Sequence, residues 1–459
     1  MNNPTFSSAT ELKAVIRLGW PMVLTQLFIM MNGFLDTAMA GRYNSLDLAG
    51  VSMGGNVFWP LFMLLTGINM ALMPITSQLR GEQRISAIGV QVQQGLWLAL
   101  LASIAMVIGC FHGGVVYTWF DVDPEAVAVA TGYLRAMAWG VPAVIIYVAL
   151  RNVCEGLGHT LPPMLITGTF LPLNAVLNFG FINGAWGFPE LGGVGCGYAT
   201  AIIFWLQLAA MLLVVRRPYF LATGLFERLH WPHWPTLLGI FKIGMPIGLS
   251  VFLEMTLFSV IGLAIASIGV IEMAAHSIAG NLNWMTYVIP MALGSAASIR
   301  VGFHVGARDF FAARGTSGAV YRFSLGYAIV VSVLLVTLRY LLVSVYTDDS
   351  AVVEIAVTLL LFIAVYQLVD DTQAVTLGAL RGYKDTQVPM LFGLFGYWFL
   401  ALPLGHALAR EWIFPGLAPG VYGYWAGLTV GLTIVAILVG IRLWRTSKDE
   451  TRILRLAGT

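Results

Sequence analysis

Long apolar runs, each about as long as a bilayer is thick and divided by short polar breaks, fill this chain from near Val15 to about Trp444. A helix needs roughly 20 such residues to cross the hydrocarbon core. On that measure the runs centre near residues 28, 65, 100, 138, 170 and 205, and again near 253, 285, 330, 365, 398 and 433, which predicts twelve spanning helices. The two sets of six are versions of one another. Leu18-Gly19-Trp20-Pro21-Met22 returns 225 positions later as Ile243-Gly244-Met245-Pro246-Ile247, and Gly55-Asn56 returns as Gly280-Asn281. Gly156-Leu157-Gly158-His159-Thr160-Leu161-Pro162-Pro163-Met164 corresponds, at an offset of 226, to Gly382-Tyr383-Lys384-Asp385-Thr386-Gln387-Val388-Pro389-Met390. Gly and Pro punctuate backbone geometry, so their recurrence at a nearly constant distance marks a tandem duplication, a common way of building transporters.

The expected fold is an all-α integral membrane protein of two six-helix repeats. An even number of spans per repeat brings both repeats in from the same side, so they are parallel, not inverted. The expected organisation is an N-terminal lobe over 1–217, a linker over 218–235 and a C-terminal lobe over 236–459 that ends in a charged tail. Basic residues gather in alternate breaks, those holding Arg80, Arg216, Arg308 and Lys384, and in the tail, while the opposite breaks carry acids such as Asp348 and Asp349. The positive-inside rule then puts both termini in the cytoplasm. The short polar N-terminus precedes an apolar run without a small-residue cleavage pattern, so that run is expected to be a retained helix, not a leader.

Composition agrees: 58% of residues are hydrophobic and 10% charged, against about 25% charged in soluble domains. A net charge of +2, with no basic run interleaved with aromatics, speaks against a nucleic-acid partner. Cys110, Cys154 and Cys196 lack CxxC spacing, and His159, His276 and His304 lack metal-ligand spacing. The run Gly192-Gly193-Val194-Gly195-Cys196-Gly197 has no Lys-Ser/Thr ending and is read as close helix packing, not a phosphate loop. No nucleophile with a base partner is visible, so no enzymatic activity and no cofactor are expected. Energy for transport would come from an ion gradient.

The chemistry-bearing residues are acids inside the apolar runs. A carboxylate in a spanning helix costs about 2.5–3.5 kcal/mol on insertion scales. The chain carries Asp36, Glu254 and the pair Asp370-Asp371 in such positions. The duplication does not account for them, since Asp36 maps to Ile261 and Glu254 maps back to Ile29. Two readings stand: the acids take up a proton or a small hard cation such as Na⁺, or they are interhelical hydrogen-bonding glue. Tyr366 and Gln367 stand four residues before Asp370 and Asp371, and neighbours on a helix point about 100° apart, so one of the two acids faces the bundle centre. Asp370 is preferred, because the Tyr366 ring offers a cation-π face. Asn174 and Asn178 share one helix face and are able to join Asp36, or else to bond helices together.

With these segments in view the chain resembles the multidrug and toxic compound extrusion family, in its bacterial NorM-type branch, over essentially its whole length. The carrying segments are Gly33-Phe34-Leu35-Asp36-Thr37-Ala38-Met39-Ala40-Gly41, Pro189-Glu190-Leu191-Gly192-Gly193-Val194-Gly195-Cys196-Gly197, Ala297-Ser298-Ile299-Arg300-Val301-Gly302 and Leu380-Arg381-Gly382-Tyr383-Lys384-Asp385. The resemblance implies a V-shaped pair of lobes around a cleft. It also implies antiport of bulky hydrophobic, often cationic drugs against inward Na⁺ or H⁺. It places cation or proton binding on Asp36 with Asn174, Asn178 and Thr200, and on Glu254 and Asp370 with Tyr366, where Na⁺ would sit at Glu254 and Asp370. Asp371 departs from the family pattern as an added acid.

Met30, Met31, Trp284 and Tyr287, with Tyr366, would form an adaptable apolar wall for substrate, although ordinary core or lipid-facing packing is the simpler reading for all but Tyr366. The expected setting is a bacterial inner membrane, with the bilayer and small-molecule drugs as partners. One duplicated chain already supplies both lobes, so it is expected to work singly. The alternative is a flippase for lipid-linked precursors, which would need cleft-facing cations. The basic residues instead fall mostly in the breaks, Arg151 and Arg381 among them, with Arg135 the one read as embedded.

Overall fold

The computed structural model describes residues 7–119, 123–413 and 420–458, and among them the regular structure is helical throughout. In chain order the longer helices are α1 (Ser8–Tyr43), α2 (Ser45–Asn69), α3 (Leu72–Gly81), α4 (Ile88–His112), α5 (Pro124–Ala138), α6 (Val141–Gly156), α7 (Leu161–Asn183), α8 (Gly193–Val214), α9 (Trp234–Ala266), α10 (Val270–Gly306), α11 (Phe310–Thr337), α12 (Ser350–Gly382), α13 (Gln387–Ala409), α14 (Gly420–Lys448) and α15 (Glu450–Ala457). Eleven spans among the described residues are long and apolar enough to cross a membrane, with α2 and α3 counted together, and the bent pair α5–α6 makes a twelfth.

The duplication is written into these lengths. Ser45–Gly81 and Val270–Gly306 are each 37 residues long, and α7 and α13 are each 23. The sharpest departure in helix geometry is the pair α5–α6, bent by 54°, whose counterpart α12 runs on as a single helix. The local sequences explain it. Gly140 and Pro142 stand where the second repeat has Tyr366 and Leu368. Proline lacks the N–H that a continuous helix needs and clashes with the preceding turn, and a Cβ on Gly140 would lie 2.6 Å from the Ala201 Cα on α8.

The chain forms two compact units, one over 20–248 and the other over 1–19 with 249–459. In the first, Phe58, Leu72, Met106, Leu134, Met137 and Ile145 are almost completely buried, and Ile240 from the first half of α9 joins their core. That half of α9 lies backbone against backbone on α2. A Cβ on Gly244 would fall 2.1 Å from the Ile68 carbonyl oxygen, and one on Gly67 would fall 2.1 Å from the Gly248 Cα, so both positions demand glycine.

The second unit packs around Leu360, Ile363, Tyr366, Tyr424, Trp425 and Leu428. The first turns of α1 belong to it. Arg300 of α10 grips Glu11 through Nε at 3.0 Å and Nη2 at 2.7 Å, and His304 Nε2 stands 3.1 Å from the same carboxylate. A charged fork of this kind joins planar groups at two points and so fixes orientation as well as distance.

Two adjacent glutamines on α4 hold the segment between the repeats. Gln93 donates to the Leu225 and Arg228 carbonyls at 2.6 and 2.8 Å and accepts from the His230 N–H at 2.7 Å. Gln94 donates to the Trp231 carbonyl at 2.9 Å and accepts from the His233 N–H at 2.8 Å. An amide side chain offers a donor and an acceptor side by side, as a peptide group does, so it pairs with backbone that has no sheet partner.

Candidate functional site

Each unit encloses its own group of ionisable and polar side chains at membrane depth. In the first unit α1 supplies Asp36, α7 supplies Asn174 and Asn178, and α8 supplies Thr200, all at most 5% exposed. Asn178 Nδ2 donates to Asp36 Oδ1 at 2.7 Å and to Asn174 Oδ1 at 2.9 Å. Thr200 Oγ1 donates to Asp36 Oδ2 at 3.0 Å and accepts from Asn174 Nδ2 at 3.2 Å. The four side chains close a ring in which both carboxylate oxygens accept.

That polarity suits an ionised Asp36, yet only neutral groups form the ring. A carboxylate among neutral dipoles in a low-dielectric setting calls for a positive charge or a proton beside it. Asn178 Oδ1 is buried and has no hydrogen-bond partner, so the ring retains one free acceptor next to the acid. Tyr133 of α5 lies within electrostatic reach of Asp36, and the Cys196 thiol donates to the Asp36 backbone oxygen at 3.5 Å. Neither follows from spacing within one helix, because each arrives from a different helix.

In the second unit Glu254 on α9 and Asp370 on α12 lie close enough to feel each other's charge. Three phenols surround them: Tyr287 of α10, Tyr366 of α12 and Tyr397 of α13 each lie in the field of both acids. The α13 backbone runs as a π-helix over Phe395–Ala401, a form frequent at functional sites. It carries Tyr397, which accepts from Gln373 Nε2 at 2.6 Å, and Trp398, whose Nε1 donates to the Leu253 carbonyl at 3.2 Å. The Tyr366 ring meets Trp425 edge to face, with centroids 6.0 Å apart.

Asp371 is placed differently. Its side chain is fully buried, and neither carboxylate oxygen has a hydrogen-bond partner. Its environment comes from α11, where Ser324 Oγ donates to the Asp371 backbone oxygen at 2.8 Å and Tyr327 lies within electrostatic reach. The two neighbouring acids therefore serve different faces of α12, with Asp370 sharing the surroundings of Glu254.

Arg381 corrects the expectation that the basic residues stay in the breaks. It lies within α12 and in the field of Glu254, and Arg151 lies within α6, where its Nε stands 3.1 Å from the buried Glu155. The helices run on past the hydrocarbon thickness, so residues that sequence hydropathy assigns to loops sit on helical turns.

Of the substrate-wall residues, Met31 and Trp284 are exposed and Met30 and Tyr287 are half-buried. Met30 and Met31 belong to the first unit, and Trp284 and Tyr287 to the second. The Trp284 and Tyr287 rings lie 5.9 Å apart, and Tyr287 is drawn into the acid group.

Buried acids held on spanning helices of a duplicated bundle define a polytopic α-helical membrane protein of the transporter kind. Residues 21–179 and 246–406 match the MatE family, once in each repeat, and the chain belongs to that family. It is similar to the multidrug resistance protein NorM of Aliivibrio fischeri, with 37% identity over 96% of both chains. It is likewise similar to the multidrug resistance protein MdtK of Proteus mirabilis, with 37% identity over 97% of this chain and 98% of that one. Among solved structures a eukaryotic MATE transporter superposes with a TM-score of 0.88 at 18% identity, covering 98% of each chain. The Vibrio cholerae MATE transporter VcmN in its bent form gives 0.84 at 17%, covering 97% of this chain and 99% of that one.

Proposed function

We propose that the chain is a secondary active multidrug efflux antiporter, which expels hydrophobic, often cationic compounds in exchange for inward Na⁺ or H⁺. The names of its relatives in Aliivibrio and Proteus support the substrate class. The observation that carries the coupling is the enclosure of Asp36 by Asn174, Asn178 and Thr200, a carboxylate at membrane depth held only by neutral donors. The Glu254–Asp370 group among Tyr287, Tyr366 and Tyr397 is read as a second ion-carrying site. An ion at either site changes the charge and hydrogen bonding that hold its helices. It drives transport provided that ion and drug prefer opposite states, since a ligand without differential affinity shifts nothing. The protein is placed in a bacterial inner membrane with both termini cytoplasmic, a setting supported by its relatives and its basic breaks.

The test is efflux of a fluorescent organic cation from proteoliposomes under an imposed pH gradient and, separately, an imposed Na⁺ gradient. Wild type is compared with Asp36→Asn, Glu254→Gln and Asp370→Asn. Gradient-driven efflux that one or more of these variants lose supports antiport and identifies the ion. Efflux under neither gradient, or unchanged coupling in all three, overturns it and brings the flippase reading forward.

A further inference from the structure

A groove of about 610 Å³ opens on the side of the second unit between α11, α12 and α14. Its two ends differ in chemistry. Arg314, Trp444 and Ser447 stand at the end nearer the C-terminal tail, and Leu325, Thr433 and Ile437 stand further along. Both α11 and α14 are long and apolar enough to span the membrane. Tyr321, Leu325, Ile437 and Trp444 are exposed on them, so the groove faces lipid. Along α11 its wall from Arg314 to Leu325 extends about 16 Å at a rise of about 1.5 Å per residue. One leaflet contributes roughly 15 Å to the hydrocarbon core, so the groove is about one leaflet long.

Glycine keeps it open, for a Cβ added at Gly318 or Gly440 would meet nothing within 4 Å. The tail end is basic. Arg314 is exposed, and Lys448 Nζ lies 3.8 Å from the centroid of the Trp444 ring. Arg322 and Arg445, also exposed, directly follow the lining residues Tyr321 and Trp444. Among the described residues none of these four cations is in an ion pair, and no carboxylate lines the groove. Asp309 and Asp449 are engaged at helix starts, where they accept from the Ala312 and Arg452 N–H groups, each at 2.9 Å. Cations without counter-charges beside an apolar, lipid-facing groove complement a ligand with an anionic head and a hydrocarbon tail. Basic pockets between spanning helices hold lipid headgroups in this way, and tryptophan sits at headgroup level.

We propose that this groove binds an anionic phospholipid, with its phosphate against Arg314 and Lys448 beside Trp444 and one acyl chain laid along Tyr321, Leu325 and Ile437. With both termini cytoplasmic, as proposed above, the lipid belongs to the inner leaflet. The back wall of the groove includes Val369 and Thr372 of α12, which flank Asp370 and Asp371 in the chain. The lipid therefore packs against the helix that carries acids of the second unit.

The experiment uses the full chain in neutral detergent micelles and a phosphatidylglycerol that carries a diazirine on one acyl chain, with labelled residues mapped by mass spectrometry. Labelling is expected on α11 and α14 around Leu325 and Ile437. A basic residue at the membrane surface favours an anionic lipid by roughly fivefold. Unlabelled phosphatidylglycerol should therefore compete about 25-fold better than phosphatidylcholine. Arg314→Gln and Lys448→Gln should each lower that preference about fivefold, and the double variant should abolish it. Gly440→Leu, which fills the groove and keeps both cations, should remove the labelling, with Gly318→Leu as a second filling variant and the melting temperature as the check that each is folded. Glycerol phosphate, a headgroup without a tail, should not compete. Equal competition by the two phospholipids overturns the proposal. So does displacement by glycerol phosphate, which marks a plain anion site, a preference unchanged in the double variant, or labelling unchanged in both filling variants. No gradient enters these measurements, so loss of gradient-driven efflux in proteoliposomes would strike the antiporter reading and leave them standing.

Discussion

Thr200→Val is the sharpest probe of the first acid group, because it keeps side-chain shape and removes one hydroxyl. In the native ring Thr200 Oγ1 donates to Asp36 Oδ2 at 3.0 Å and accepts from Asn174 Nδ2 at 3.2 Å. The loss of the Asn174 contact is the same with and without a bound ion, so it cancels in any comparison of the two states. The bond to Asp36 does not cancel, since it supports the free carboxylate most. A hydrogen bond to a charged group contributes about 1.5–3 kcal/mol, which corresponds to roughly 10–100-fold in an equilibrium constant. Without it the free carboxylate depends more on its cation, so the ion should bind about 10–100-fold more tightly and leave more slowly. The assay is gradient-driven efflux from proteoliposomes against the concentration of the coupling ion. Thr200→Val should lower the half-saturating concentration and the maximal rate together, and Thr200→Ser, which retains the hydroxyl, should restore both. Identical ion dependence in the two variants and wild type would refute the ring as an ion site.

In the second unit, Gln373→Leu should weaken the hold on Tyr397 and alter ion dependence less than Asp370→Asn does, while Asp371→Asn should leave the Glu254–Asp370 coupling in place; equal loss in the two Asp variants would show that they act as one group. Gly67→Val should abolish folding or lower thermal stability by more than about 3 kcal/mol, the scale of a severe core defect, because its Cβ would fall 2.1 Å from the Gly248 Cα. Melting in nanodiscs checks it, and an unchanged melting temperature would rule out the close approach of α2 and α9. His159 lies between α6 and α7, with its ring 3.7 Å from that of Tyr219. Burial, and behind it the Arg80 guanidinium, holds its pKa below the usual histidine value. The unfolded chain therefore takes the proton first, so stability present above about pH 6.5 declines as pH falls below it. The melting temperature of wild type should drop more on acidification than that of His159→Asn, and parallel pH profiles would count against it.

Much of the first acid group is legible in the amino-acid sequence. Asn174 and Asn178 stand four residues apart, which on a helix means one face, and Asp36 is the single acid in its run. Thr200 came only through family resemblance, and Tyr133 through neither route, because a tyrosine in an apolar helix has no spacing that ties it to a distant acid. In the second unit the i, i+4 rule put Tyr366 beside Asp370. Tyr397 and Arg381 gave no comparable signal: one depends on a π-helical turn of α13, and the other was assigned to a loop.

Membrane residence, helix class, span number and the duplication were determined by the amino-acid sequence alone, because length, hydropathy and the placement of Gly and Pro are properties of each segment taken by itself. Even the bend of α5–α6 traces to Gly140 and Pro142, which the second repeat replaces with Tyr366 and Leu368. Only the tertiary structure decided which of Asp370 and Asp371 shares the surroundings of Glu254, since that depends on the rotation α12 adopts when α10, α11 and α14 pack against it. The same holds for the division of α1 and α9. Their N-terminal turns go to the unit of the other repeat because Glu11 meets Arg300 and because Gly67, Gly244 and Gly248 let two backbones touch, contacts between residues far apart in the chain that no local pattern encodes.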